Sequence, residues 1–249
     1  MKRITALLVV TASLTWAGIA AAQDLPPEES FSLYGTFGYG MQDLGDVNDE
    51  IGNAERELRE AGLAVSLETF AEAIDFGGGV AYQFGEVLAL GAEVGYQTSG
   101  VSDAYSDVDG SFSRSLDLTL LDVSGVLQLY FPDYPGLYLG ASVGAGFGKA
   151  EVARKRTGFG FEDDLDEEGD FDGTTVVFGA FTGFRFQFEE GFFIDGRGGY
   201  RYRKFDELEG KMSGEMEEGP IQDSGGLPLE FDFSGFYGRV GIGFAFGGY

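Results

Sequence analysis

The residues of this sequence with the most chemical potential are charged side chains set among small ones. Eight of them lie in segments where glycine, serine and alanine alternate with apolar residues: Glu93, Asp122, Arg185, Asp195, Arg197, Arg201, Arg203 and Arg239. A guanidinium group can bind a carboxylate through two parallel hydrogen bonds. These residues therefore predict an ion-pair network, provided that the fold brings them together.

The segments around these charges alternate with a period of two, which is typical of strands with two different faces. Residues 137–148 show this most clearly, with apolar side chains at Leu137, Leu139, Val143 and Phe147 and small residues between them. The pattern predicts eight strands, at 31–41, 79–84, 88–97, 121–131, 137–148, 178–188, 192–203 and 236–246. The apolar parity shifts between Leu120 and Leu121 and between Phe233 and Phe236, and we interpret both shifts as β-bulges.

The connections between these strands alternate in length. Long ones span about 42–72, 98–115, 149–173 and 204–228, and short turns separate them. Short turns at one end and long loops at the other are typical of a transmembrane β-barrel. We therefore predict an all-β fold, a closed antiparallel transmembrane barrel of about eight strands with short periplasmic turns and long acidic extracellular loops.

The charges determine which face of the sheet points inward. On each predicted strand, the face opposite the apolar one consists mainly of Gly, Ser and Ala, which suit the crowded lumen of a narrow barrel. All five strand arginines lie on this face. Facing lipid, each would cost roughly 2–4 kcal/mol near the midplane. The eight charged residues are predicted to fill the lumen as a polar plug, and a narrow selective pore is the alternative.

The first 22 residues have the features of a secretory signal. Lys2 and Arg3 precede a largely apolar stretch that ends in Ala20-Ala21-Ala22. We predict a signal peptide at 1–22 and a barrel domain at 23–249, with an uncleaved anchor as the alternative.

Acidic residues dominate the long connections. The formal net charge of −26 argues against nucleic-acid binding, and a solvated, repulsive surface is the simplest interpretation. Asp164, Asp166, Glu168 and Gly169 match the first part of a calcium-loop pattern, but Thr175 holds the closing position. Divalent cations bridging the loops to lipopolysaccharide are therefore a weaker hypothesis, and no dedicated metal site or cofactor is predicted.

One helix is predicted in the first long connection, over 49–61. Asn48 would cap it, Glu55 and Arg59 would pair four residues apart, and Gly62 would end it. Its apolar face, with Ile51 and Leu58, is expected to pack on the barrel rim, and partner binding is the alternative.

With these features, the chain resembles the small outer-membrane β-barrel proteins that include the OmpA transmembrane domain, OmpX and OmpW. The resemblance covers the eight alternating segments, the asymmetric loops and an aromatic-rich last strand. It implies a location in the cell outer membrane, contact with its lipid and lipopolysaccharide, and recognition by the barrel assembly machinery. Phe244, Phe246 and Tyr249 would carry that assembly signal, with Tyr249 out of phase with the other two.

Three functions are compatible with such a barrel. A structural or surface-interaction role is preferred, and a narrow OmpW-like channel for small or hydrophobic molecules is the alternative. An enzyme is not predicted, because outer-membrane hydrolases generally use a histidine in general acid–base chemistry and the sequence has no His and no Cys.

Overall fold

A computed structural model describes residues 29–42, 44–60, 66–106, 110–158, 165–188, 191–213, 219–222 and 225–247. The predicted signal peptide lies outside these residues and stays a prediction. Among the described residues, no helix is both long and apolar enough to cross a membrane.

Eight strands of the described chain close into an antiparallel ring. They are β1 (Ser30–Met41), β2 (Glu72–Phe84), β3 (Leu88–Ser106), β4 (Gly110–Tyr130), β5 (Leu137–Gly158), β6 (Leu165–Gln187), β7 (Phe192–Phe205) and β11 (Gly235–Gly247). Sequential neighbours pair from β1 to β7, β7 pairs with β11, and β11 pairs with β1 from Ser30–Gly247 to Gly40–Tyr237. Three short strands, β8 (Glu209–Met212), β9 (Gly219–Pro220) and β10 (Phe231–Asp232), lie in the last connection. The predicted closed barrel of eight strands is confirmed.

The connections at one end of the barrel are tight, as predicted. Residues 85–87, 131–136 and 188–191 separate the strands there, and Gly85 and Gly136 have positive φ angles of 61° and 83°, which glycine adopts without a steric penalty. In a transmembrane barrel these short turns face the periplasm.

Two of the predicted long loops are mostly strand. β3, β4, β5 and β6 contain 19, 21, 22 and 23 residues, about twice the 9–11 residues that cross a bilayer. Their upper halves therefore continue the sheet beyond the lipid as tall hairpins. The sequence obscured this because the alternation there involves polar and charged residues, which the outward face carries once it leaves lipid.

The two predicted bulges are absent. β3 and β4 pair in one register from Leu88–Leu129 to Ser106–Ser111, and residue pairs of β10 and β11 keep a common register on β7. The parity shift has another cause. Leu118, Leu120, Phe231 and Phe233 are inward-facing and each is at most 1% exposed, because the barrel interior becomes apolar above the membrane.

The outer surface of the barrel carries an exposed apolar belt on every strand of the ring. On β11, for example, Val240, Ile242 and Phe244 are 50–61% exposed. The belt ends where polar residues begin on the same face, at the steps from Tyr96 to Thr98 and from Phe147 to Lys149. A polar interior under a continuous apolar exterior is the arrangement that lipid requires.

A helix and an apolar core close the extracellular end. Helix α1 (Gly45–Glu60) buries Val47 and Ile51 in a cluster with inward-facing strand residues: Leu118, Leu120, Ala150, Phe171, Phe205, Phe231 and Phe233. Leu58 packs against the same cluster, so the predicted packing of this face is confirmed, as is the Glu55–Arg59 ion pair at 2.6 Å.

The predicted helix cap is wrong. α1 begins before Asn48, and the Asn48 amide instead binds the backbone of Phe70, donating to its carbonyl oxygen and accepting from its N–H, both at 2.8 Å. Asn48 thus fastens the segment after the helix onto the helix. Gly62, the predicted stop, lies outside the described residues.

Candidate functional site

The barrel lumen brings all eight predicted charged residues into one buried region. Each of them is between 3% and 8% exposed. Strands β3 and β4 supply Glu93 and Asp122, β6 supplies Arg185, β7 supplies four residues, and β11 supplies Arg239. The predicted Arg/carboxylate network is present.

A ninth member, Asp75, was missed by the sequence reasoning. It lies on β2 and is 1% exposed. The prediction began this strand at Gly79, whereas the alternation of Ile74 and Phe76 with Asp75 and Gly77 continues it upward. Extending that alternation backward would have placed Asp75 inside the barrel.

Seven of these residues form one alternating chain of charges. Arg197 binds Glu93 at 2.6 Å, and Arg239 bridges Glu93 and Asp75. Arg201 lies 3.5 Å from Asp75 and 3.2 Å from Asp122, and Arg203 ends the chain 3.0 Å from Asp122. Each carboxylate therefore contacts two arginines, which offsets the cost of removing these charges from water.

A separate ion pair lies lower in the lumen. Arg185 and Asp195 face each other on β6 and β7, with a nitrogen–oxygen distance of 3.6 Å. The Tyr138 hydroxyl donates to the Asp195 carboxylate at 2.9 Å. This pair joins neighbouring strands, whereas the charge chain crosses the lumen.

Aromatic rings lie against the guanidinium groups and fill the remaining space. Arg185 lies 4.1 Å from the ring centroid of Phe193, and Arg201 lies 4.4 Å from that of Tyr237. Such stacking is favourable for a planar cation in a desolvated site. The rings thus stabilise the same side chains that the carboxylates bind.

Inward-facing glycines make room for these large side chains. A β-carbon at Gly183 would collide with the Tyr138 phenol, and one at Gly38 would collide with the Arg239 side chain. At these two positions a glycine lies directly opposite a large side chain on the neighbouring strand.

The remaining space inside the charged region is very small. A cavity of about 10 Å³ lies among Glu93, Asp122, Arg197, Arg201 and Arg239. That is enough for about one water molecule. The network and the apolar core above it thus occupy successive levels of the described lumen.

Two of the three predicted cation-binding residues, Asp166 and Glu168, lie elsewhere, on the tall hairpin of β5 and β6. Asp166 binds Lys155 at 2.8 Å, and this hydrogen bond raises the pKa of Lys155. Glu168 follows on the same strand, and Asp164 lies outside the described residues. The described residues contain no group of three or more His, Asp or Glu side chains placed to hold a metal ion.

The predicted assembly residues Phe244 and Phe246 lie on the last strand with 50% and 55% of their surface exposed. Both belong to the apolar belt, and the Phe244 ring contacts that of Phe192 at 5.4 Å between centroids. Tyr249 lies outside the described residues.

A closed ring of eight antiparallel strands, apolar outside and charged inside, defines an eight-stranded outer-membrane β-barrel, and its place is the outer membrane. No protein-family model matches the chain, and no curated protein matches it. Solved structures of the same kind do resemble it. OprG from Pseudomonas aeruginosa has 11% identity and a TM-score of 0.44, and the match covers 90% of this chain and 99% of OprG.

Two further structures resemble the barrel to a similar degree. Ail of Yersinia pestis has 16% identity and a TM-score of 0.41, covering 88% of this chain and 99% of Ail. CarO of Acinetobacter baumannii has 16% identity and a TM-score of 0.38, covering 70% and 95%. Likeness at this level of identity shows the fold alone.

Proposed function

We propose that this protein is a non-conducting barrel with a structural or surface-interaction role in the outer membrane. The observation that carries the proposal is the filled lumen, in which nine charged side chains are at most 8% exposed around a cavity of about 10 Å³. The apolar core above this network adds a second seal. A lumen of this kind favours a plug over the narrow OmpW-like channel and supports no catalytic role.

The part of the molecule available for interaction is then its extracellular end. The four long strands β3–β6 rise above the apolar belt, and their outward residues there include Thr119, Lys149, Glu151 and Asp170. Lys149 binds both Glu151 and Asp170, at 2.6 and 3.1 Å, and these hydrogen bonds raise the pKa of Lys149. A hairpin wall held by its strand pairing and by an apolar core can display a fixed polar surface outside the cell.

The proposal includes the partners of an outer-membrane barrel. The apolar belt would contact lipid and lipopolysaccharide, and divalent cations would bridge hairpin acids such as Asp166 and Glu168 to lipopolysaccharide phosphates. The barrel assembly machinery would recognise the last strand through Phe244 and Phe246, with Tyr249.

Planar-bilayer recording of the refolded protein tests the absence of conduction. We expect no steady current from the unmodified protein. Arg201→Ala removes a side chain that contacts two carboxylates and a tyrosine ring. We expect brief current steps from this variant, because the lumen is less completely filled. Val143→Ala, on the lipid-facing surface, is the matched control and should remain silent. A steady conductance of the unmodified protein that changes with Arg197 or Arg201 would favour the channel.

A further inference from the structure

Within the charge chain, the negative and the positive side chains come from opposite sides of the barrel. All three carboxylates of the chain come from β2, β3 and β4, and all four arginines come from β7 and β11. The paired residues are 79 to 164 positions apart in sequence. These contacts can form only when the C-terminal strands reach the N-terminal ones, which is the step that closes the barrel.

The closing seam between β1 and β11 has little register information of its own. Its outward positions are apolar on both strands, and native pairs include Leu33–Phe244 and Phe37–Val240. A slip of one residue would turn apolar side chains inward, but a slip of two residues keeps every side chain on its face. After a two-residue slip Leu33 would face Ile242 or Phe246, which are equally apolar.

The lumen charges distinguish the registers that the apolar pattern cannot. A slip of two residues moves Arg239 by roughly 7 Å along the strand, so its contacts with both Asp75 and Glu93 would be lost. Arg239 also lies opposite Gly38, where a β-carbon would come within 2.6 Å of its Cγ atom. A slip of two residues toward Thr36 would place Arg239 opposite Thr36, whose β-carbon would take up the space that Gly38 leaves free for the arginine.

We propose that the cross-lumen ion pairs are a closing latch, which selects the native register of the seam between β1 and β11. The latch consists of Arg239 with Glu93 and Asp75, extended by Arg197, Arg201, Arg203 and Asp122. The arginines hold β11 and β7 at the height where each guanidinium meets its carboxylates. A closed but slipped barrel leaves those charges buried without partners, which is strongly unfavourable.

The Arg185–Asp195 pair provides a matched control within the same lumen. Its two residues are 3% and 5% exposed, as buried as the latch, but they face each other on the adjacent strands β6 and β7. The pair is broken from the Asp195 side, because the Asp195 carboxylate binds Arg185 and the Tyr138 hydroxyl on β5, whereas Arg185 also reaches Ser32 on β1 and the Tyr130 ring on β4. Asp195→Asn therefore destabilises the barrel while the ion pairs between the two halves stay in place. A latch effect and a general loss of stability are therefore separable.

Disulfide trapping during refolding reads the register directly, because the sequence contains no cysteine. Leu33→Cys with Phe244→Cys reports the native register. Leu33→Cys with Ile242→Cys, or with Phe246→Cys, reports a slip of two residues in either direction. Directly opposed residues lie within disulfide range, whereas positions two residues away do not. Each pair is refolded into lipid vesicles under mild oxidation, and the folded fraction is separated by gel mobility.

In the unmodified background we expect the native crosslink almost exclusively. Arg239→Gln should raise the fraction of slipped crosslink by roughly tenfold or more. The ion pairs that distinguish the two registers are then lost, whereas both registers retain their apolar contacts. Glu93→Gln is a second, independent variant and should act in the same direction. Arg239→Lys keeps the charge but cannot bridge both carboxylates as the guanidinium does, so it should restore the native crosslink only in part. Asp195→Asn should leave the crosslink pattern unchanged.

Two results would overturn the proposal. One is a native crosslink alone in both Arg239→Gln and Glu93→Gln. The other is a slipped crosslink that rises as much in Asp195→Asn as in Arg239→Gln, since that would show general instability instead of register selection.

Discussion

Replacing Asp75 with Asn tests how strongly the lumen charges stabilise the barrel. Asp75 contacts Arg239 and Arg201, and the side chains of the Asp75–Arg239 pair are each 1% exposed. Asn keeps the shape and one acceptor oxygen but loses the charge. Two buried guanidinium groups then lose part of their compensation. Breaking a buried ion pair from one side costs about 3–5 kcal/mol, and the retained hydrogen bond places Asp75→Asn at about 3 kcal/mol.

The assay is urea unfolding in lipid vesicles, followed by far-ultraviolet circular dichroism and by gel mobility. With a urea dependence of about 2 kcal/mol per molar, a loss of about 3 kcal/mol lowers the midpoint by about 1.5 M. Asp166→Asn is the matched control, because the Asp166–Lys155 pair has side chains 66% and 58% exposed. Exposed pairs contribute little, so its midpoint should not change measurably.

Two outcomes would refute this reasoning. An Asp75→Asn midpoint no lower than that of Asp166→Asn would mean that the lumen is hydrated well enough to solvate a lone arginine. Additive effects of Asp75→Asn and Arg239→Gln in a double-mutant cycle would mean that the two groups do not interact.

The other predictions concern the extracellular core, the helix clamp and the glycine positions. Leu118→Ala removes an apolar side chain that is 1% exposed and should lower the free energy of unfolding by about 2–5 kcal/mol. Leu121→Ala, on the lipid-facing surface, should lower it clearly less. Equal urea midpoints for the two variants would contradict an apolar core above the membrane. Asn48→Ala breaks both hydrogen bonds to Phe70 and should cost about 1–3 kcal/mol, with faster trypsin cleavage at Arg56 and Arg59; unchanged cleavage would show that other contacts hold the helix. Gly183→Ala should lower the free energy of unfolding by about 1–3 kcal/mol, because the new methyl group overpacks against Tyr138. Gly196→Ala, with open space around its β-carbon position, should be near neutral in thermal unfolding. A neutral Gly183→Ala would mean that Tyr138 can move aside.

The sequence predicted the membrane-spanning part of the fold well, because lipid leaves few choices. An outward face in lipid must be apolar, so the alternation on strands such as β5 and β11 appears directly in the residue types. The inward position of the arginines follows from the same constraint, since Arg197 and Arg239 have no acceptable place on the outer surface. The tight turns followed from the short connections between the predicted strands.

The extracellular half was harder to predict because both faces of the strands change character there. Above the lipid the outward face becomes polar while the inward face becomes apolar, so Leu118 and Leu120 imitate a bulge. The same change concealed the strand nature of residues 149–158. Asn48 satisfied the sequence pattern of a cap, but its amide forms tertiary hydrogen bonds with Phe70 that no local pattern encodes. Asp75 was not predicted, because the predicted second strand began at Gly79 whereas β2 begins at Glu72.

The most direct test of the account uses two neighbouring residues that face opposite ways. Phe192 lies on the outer face against Phe244, and Phe193 is fully buried in the lumen beneath Arg185. Because Trp16 is the single tryptophan of the sequence, Phe192→Trp and Phe193→Trp can each be made in a Trp16→Phe background and refolded into lipids with brominated acyl chains. We expect strong bromine quenching of the tryptophan at 192 and weak quenching of the one at 193. Equal quenching at the two positions, or stronger quenching at 193, would contradict a barrel with an apolar exterior and a filled, charged interior.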